Sequence, residues 1–172
     1  IKKDGLRGIS NLIQALRHKE NRETADRYRS LENCAEGTLG RSYLDFARRN
    51  DFSLPGEIGG PPEPIVFHDC LHVLAGYETS PLEETQIASF QAGLMKKQPM
   101  FGMFFMLAQF QLGIQVTPVA DAESMQVDPD LMLKALVRGT QVNRDLIANW
   151  DPWDDFEKPV IELRRAYNIL PR

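Results

Sequence analysis

The chain has 172 residues, of which 42% are hydrophobic and 26% are charged, and its formal net charge is −4 at pH 7. This length suits one folding unit with a sizeable core, so we predict a single domain over residues 1–172. The acidic balance argues against a nucleic-acid partner, because neutralising a phosphate backbone requires a basic surface.

The cysteines and the hydropathy of the chain predict where the protein resides. Cys34 and Cys70 are far apart and in no metal or redox spacing, which argues against a disulfide framework and favours the reducing cytoplasm. The most apolar stretch, residues 99–114, falls short of the roughly 18–20 apolar residues that span a bilayer. We expect a cytoplasmic protein, with peripheral contact at a membrane surface as the alternative. The sequence begins at Ile1, which leaves open that a targeting segment has been removed.

Apolar residues recur at helical spacing almost throughout the chain, and no alternating run predicts a strand. The first helices are predicted over residues 4–19, 22–35 and 37–50, with Thr38 as the N-cap of the third. Residues 51–64 follow with four prolines and three glycines and form the clearest predicted loop.

The second half of the chain is also predicted to be helical. Ser80 and Glu83 have the spacing of a capping box, with Pro81 between them at the first helical position. Further helices are predicted over residues 64–76, 81–97, 99–114, 127–150 and 154–168, with Asp128 as the N-cap of the helix over residues 127–150. The fold class predicted from these patterns is all-α, a bundle of seven or eight helices.

The segment "VFHDCLHVLAG", residues 66–76, holds two of the three histidines of the chain. His68 and His72 are four apart and therefore share a helix face, and Asp69 borders that face. Two imidazoles one turn apart are the arrangement by which helical sites bind a divalent ion. The alternative is a pair of histidines that pack on a helix without a metal. His18 lies in a basic surface helix and has no predicted role.

A carboxylate from the next helix completes the predicted metal site. The short "YETS" connection makes the two neighbouring helices an antiparallel pair, and Glu84 in the first turn of the second can then face the histidines. Glu83 is the expected cap partner, which leaves Glu84 for the metal. The predicted ligands suit zinc, iron, manganese, cobalt or magnesium without selecting among them. They are His68, Asp69, His72 and Glu84.

The pattern His68-Asp69-x-x-His72, followed by eleven residues and Glu84, resembles the metal motif of the fourth protein of the coenzyme Q (ubiquinone) biosynthesis series. Residues 37–46 and 162–170 are similar to the same family. The resemblance implies an all-helical fold, a metal held by these four residues and a role in ubiquinone biosynthesis. It also implies an association with other quinone biosynthesis enzymes and with oxidative removal of the ring carboxylate from a polyprenylated intermediate.

Residues 99–114 are apolar on nearly every side, which is typical of a helix buried in the middle of a bundle. Two functional alternatives are a homodimer surface and a lining for an isoprenoid or prenylquinone-type lipid, with Gly102 and Gly113 permitting close approach. The predicted lipid-binding residues are Phe101, Met103, Phe104, Phe105, Met106 and Phe110. Arg41 is the candidate for an acidic head group, with a solvated helix arginine as the alternative.

Three functions are compatible with these patterns. The first is a metal-dependent enzyme that decarboxylates a polyprenylated aromatic intermediate. The second is a non-catalytic scaffold that binds isoprenoid lipid and organises the enzymes of quinone biosynthesis. The third, a phosphohydrolase with a His-Asp pair and further histidines, is disfavoured because His18 is the only spare histidine.

Overall fold

The computed structural model describes residues 20–95, 100–116 and 121–172, and within these ranges it contains seven α-helices and no strand. The helices are α1 (Arg22–Arg29), α2 (Leu39–Arg49), α3 (Val66–Ala75), α4 (Pro81–Leu94), α5 (Met100–Phe110), α6 (Pro129–Thr140) and α7 (Val160–Ala166). Short 3-10 helices cover Ser30–Asn33, Glu63–Ile65 and Pro152–Asp154. The prediction of an all-α fold is confirmed. The helix predicted over residues 4–19 lies outside the described residues.

Several helices begin at the capping side chains that the sequence predicts. The side chains of Thr38, Ser80 and Asp128 each accept a hydrogen bond from a backbone N–H in the first turn of the helix that follows. These bonds satisfy donors that have no partner within the helix. The predicted capping box is only half formed, because the Glu83 carboxylate accepts from the backbone N–H of Glu78 at 2.9 Å instead.

Most of the described helices are shorter than predicted, and the last two differ most from their predicted bounds. The helix expected over residues 127–150 ends at Thr140, and beyond it the Asp145 carboxylate accepts from two backbone N–H groups within its own turn. Such local bonds compete with helix formation. The helix expected over residues 154–168 begins only after Pro159, which has no N–H with which to continue a preceding helix.

The chain divides into two compact units, and the division passes through α3, which is itself one unbroken helix. The first unit comprises the described residues up to Cys70 together with Pro152–Pro159. Its core is aromatic. The Trp153 ring lies edge-on to Tyr28 at 5.1 Å and to Phe156 at 4.8 Å, and its Nε1 donates to the Tyr28 hydroxyl at 3.3 Å.

The second unit comprises Leu71–Asp151 and Val160–Arg172, and the contact between α4 and α6 is its most extensive. Glycines permit this contact. A Cβ at Gly139 would lie 2.1 Å from the Phe90 carbonyl oxygen, and a Cβ at Gly93 would lie 2.3 Å from the Leu136 carbonyl oxygen. The backbones of α4 and α6 therefore meet without intervening side chains. That the whole chain forms a single domain stays a prediction.

Helix α5 is the most apolar element and is only partly buried. Met103 and Phe110 are buried, whereas the Phe104 side chain is 67% exposed. A Cβ at Gly102 would meet no atom of the described residues within 4 Å. The close approach of a lipid chain or a partner helix at this glycine stays a prediction. The described structure therefore does not bury α5 on all sides. None of the helices in the described ranges is long and apolar enough to cross a bilayer.

Candidate metal centre

Helix α3 carries both histidines of the motif. It follows the 3-10 helix Glu63–Ile65, and it ends before Gly76, whose φ of +77° is the left-handed conformation that commonly follows a helix. Residues four apart lie one turn above each other, so His68 and His72 project to the same side of α3. His72 is buried and His68 is partly buried.

Each nitrogen of the His72 ring has an oxygen atom nearby. Nδ1 lies 3.1 Å from the backbone carbonyl oxygen of Tyr77, to which it donates when it carries the ring proton. That tautomer leaves the lone pair of Nε2 available to a metal. Nε2 lies 3.5 Å from Oε1 of Glu84, which is in the first turn of α4, directly after the Ser80 cap.

The ligand atoms of His68, His72 and Glu84 all lie within 4.8 Å of one another. In a tetrahedral site with bonds of about 2.0–2.1 Å, two ligand atoms are about 3.4 Å apart. The 3.5 Å separation between His72 and Glu84 already has nearly this value. Two imidazoles and one carboxylate make three protein ligands. Catalytic zinc sites also have three protein ligands and keep a fourth position for water or substrate.

Asp69, the fourth predicted ligand, is not one of the three clustered residues. Burial raises the pKa of its carboxyl group to about 7, because desolvation penalises the charged form. Burial also raises the pKa of the Cys70 thiol, and the neighbouring Asp69 carboxylate raises it further. The role of Asp69 as a metal ligand stays a prediction.

Arg41, the predicted head-group residue, is bonded within the first unit. Its Nε donates to both carboxylate oxygens of Asp45, at 3.2 and 3.3 Å, and its Nη1 donates to the carbonyl oxygen of Glu32 at 3.1 Å. These are the partners of a helix-surface arginine. A head-group role for Arg41 stays a prediction.

The predicted lipid-binding residues of α5 do not share one environment. Met103 and Phe110 belong to the buried core, Phe105 and Met106 are partly buried, and Phe104 is exposed. The side chain of Phe101 lies outside the described ones. Lipid binding by these residues stays a prediction, with Phe104 as the most accessible of those described.

A group of arginines that the sequence did not indicate lies at the C-terminal end of α3. The carbonyl oxygens of residues 73–76, which lack helical partners, accept hydrogen bonds of 2.9–3.0 Å from three guanidinium groups. The donors are Arg138, Arg164 and Arg172. These arginines are 63 to 96 residues away in sequence from the carbonyl groups that they bind, so no local motif could have indicated the group.

Comparison with models of known protein families finds no match to this chain, and comparison with curated proteins finds none either. The case for function therefore rests on the chain's own residues. Its two parts are the spacing from His68 to Glu84 in the sequence and the clustering of ligand atoms in the structure.

Proposed function

We propose that the protein binds one divalent metal ion through His68, His72 and Glu84 and acts in prenylquinone biosynthesis on a polyprenylated aromatic intermediate. The observation that supports the metal is the group of three ligand atoms within 4.8 Å of one another. The resemblance of the motif from His68 to Glu84 supports the quinone pathway and the lipid-like ligand.

The side chains fit such an ion by their chemistry. Imidazole nitrogens and a carboxylate suit zinc, iron, manganese or cobalt. The Tyr77 carbonyl orients the His72 ring, and Glu84 supplies negative charge to a cation. A bound ion would supply Lewis acidity. We propose that the ring carboxylate of the ligand binds beside these three residues and that the reaction replaces it with a hydroxyl group. Carbon dioxide leaves, water supplies the hydroxyl oxygen, and dioxygen from solution accepts the two electrons and two protons to give hydrogen peroxide.

Metal content measured by mass spectrometry on protein purified without chelator tests the site. We expect about one divalent ion per chain in the unaltered protein and none in His72→Ala, because the variant lacks a buried ligand. His18→Ala is the matched control, since it removes the histidine that lies outside the motif, and it should retain the ion. An unchanged metal content in His72→Ala would contradict the proposal.

A second candidate is a non-catalytic lipid-binding scaffold that lies at a membrane surface, or pairs as a homodimer, and organises other quinone biosynthesis enzymes. The exposed apolar side chains of α5 and the segment after it favour this candidate, because exposed apolar patches mark interaction surfaces. They are Met100, Phe104, Leu112 and Ile114. Turnover of a prenylated hydroxybenzoate by metal-loaded protein in air would support the function as an enzyme. Binding of this compound without turnover would select the scaffold.

A further inference from the structure

A cleft of about 650 Å³ lies in the second unit at the C-terminal end of α3. Its volume falls within the roughly 300–1,000 Å³ of small-molecule sites. Four arginines line it, namely Arg138, Arg164, Arg165 and Arg172. Much of the remaining wall is apolar, with Ile161, Ile169 and Leu170 among its residues. The cleft thus combines concentrated positive charge with an apolar surface.

These arginines have few acidic partners. Among the described residues, only Arg172 has a carboxylate partner, which is Glu83. Arg138 and Arg164 donate to uncharged carbonyl and hydroxyl oxygens. Arg165 has no hydrogen-bond or ion-pair partner in the described part of the chain. The hydrogen bonds therefore hold the guanidinium groups in place without neutralising them.

The charges in the cleft do not balance. Arg138 is in the last turn of α6, and Arg164 and Arg165 are in the last turn of α7, so three helix C-termini are nearby, counting α3. Counting only side chains and helix ends, and giving each helix end its full half negative charge and Glu83 one more, about 1.5 positive charges remain in excess. Desolvation, and then repulsion from Arg138, lower the pKa of Arg164. The excess occurs in a chain whose net charge is −4.

We propose that this cleft binds a phosphate group that carries an apolar substituent. A phosphate monoester has a charge of about −1.5 to −2 at pH 7, which matches the excess. Guanidinium groups bind phosphate oxygens through paired hydrogen bonds, and Arg165 has all of its donors available for them within the described structure. Ile161, Ile169 and Leu170 would contact the substituent. The inference does not depend on the metal centre.

Calorimetric titration of the unaltered 172-residue chain with three small compounds tests the chemistry of the cleft. We expect saturable binding of one hexyl phosphate per chain, at least about tenfold tighter than inorganic phosphate, because the apolar wall adds contact with the hexyl chain. Hexanol should not bind measurably. Hexanol binding as tight as that of hexyl phosphate, or no saturable binding of hexyl phosphate, would overturn the proposal.

A variant that lacks one positive charge of the cleft tests whether hexyl phosphate binds there. Arg165→Gln should weaken hexyl phosphate binding by about tenfold, which is the effect of losing one hydrogen bond to a charged group. It should leave the melting temperature unchanged, because Arg165 holds no other described residue. Arg22→Gln is the control, since it removes an exposed positive charge from the first unit. Unchanged affinity in Arg165→Gln would overturn the proposal, because the phosphate would then bind elsewhere, such as at the metal centre.

The phosphate could come from a soluble ester or from a lipid, and vesicles distinguish the two sources. Vesicles of phosphatidylcholine with phosphatidic acid present the same phosphate monoester on apolar chains. Co-sedimentation that Arg165→Gln weakens would support the proposal with a lipid as the source. Binding of hexyl phosphate without co-sedimentation would support it with a soluble ester as the source.

Discussion

Helices α4 and α5 are neighbours in the second unit, and their burial is the reverse of what their compositions suggest. Helix α4 buries polar residues, including Thr85 and Ser89, on several sides. Both hydroxyl groups donate to carbonyl oxygens of their own helix at 2.7 Å, which removes the cost of burying them. Helix α5 is far more apolar, yet its Phe104 side chain is 67% exposed.

This difference indicates that the burial of a helix in the second unit depends more on how closely its backbone approaches a neighbouring helix than on its own hydrophobicity. Gly93 lets α4 meet α6 directly, whereas a Cβ at Gly102 of α5 would meet no atom of the described residues within 4 Å. The tightly packed α4 carries Glu84, one of the three residues of the candidate metal site. The loosely covered α5 is instead suited to contact with another molecule.

The largest expected effect concerns the ligand on α4. Glu84→Gln keeps the shape of the side chain and removes its negative charge, so we expect metal affinity to fall by at least about 100-fold. Competition with a chelating dye measures the change. Glu83→Gln is the matched control one residue earlier, because Glu83 bonds to the backbone of Glu78 and to Arg172 instead. Equal loss of affinity in both variants would show that the carboxylate acts through overall charge and not as a ligand.

The second-largest expected effect is the loss of stability when the packing of α4 against α6 is disturbed. Gly139→Ala places a methyl group where the Phe90 carbonyl oxygen lies 2.1 Å away, and the backbones must separate. We expect the free energy of unfolding to fall by about 3 kcal/mol, as overpacked cores show. Chemical denaturation followed by circular dichroism measures it. A variant as stable as the unaltered protein would mean that α4 and α6 do not meet at this glycine.

A glycine-to-alanine substitution in α5 tests the comparison between the packing of α4 and that of α5. In Gly102→Ala the added methyl group meets no atom of the described part of the chain within 4 Å, and alanine favours a helix over glycine. We expect the free energy of unfolding to rise by about 0.5–1 kcal/mol in the same denaturation experiment. A loss of stability comparable to that of Gly139→Ala would show that α5 is as closely packed as α4.

The smallest effect on stability is expected when the exposed ring of Phe104 in α5 is removed. Phe104→Ser should change the free energy of unfolding by no more than about 0.5 kcal/mol, because surface substitutions are usually nearly neutral. It should nevertheless reduce the amount of isoprenoid lipid that co-purifies, if α5 contacts the tail. Lipid extraction followed by mass spectrometry measures this. Unchanged lipid content would remove Phe104 from the lipid-binding surface.

The sequence predicted those features that depend on residues close together in the chain. The caps at Thr38, Ser80 and Asp128 act within one turn and were found from spacing alone. The grouping of His68, His72 and Glu84 was also predictable, because two of them share a helix and a short turn brings the third beside them.

The remaining features depend on contacts between distant residues. Nothing in the local sequence indicates that Gly93 and Gly139 meet or that arginines of α6 and α7 bond to the end of α3. The exposure of Phe104 likewise depends on which elements cover α5 in the folded chain. Helix α6 ends early, at Thr140, because Asp145 makes local hydrogen bonds beyond it. The spacing of hydrophobic residues does not predict such bonds.

X-ray absorption spectroscopy of the zinc-loaded protein tests the central claim most directly, because it observes the atoms bonded to the ion. The account predicts two imidazole nitrogens at about 2.0–2.1 Å, with carboxylate and water oxygens completing the coordination. It also predicts one imidazole in His68→Ala. A zinc ion with no imidazole ligand, or with sulfur ligands, would contradict the metal centre formed by His68, His72 and Glu84.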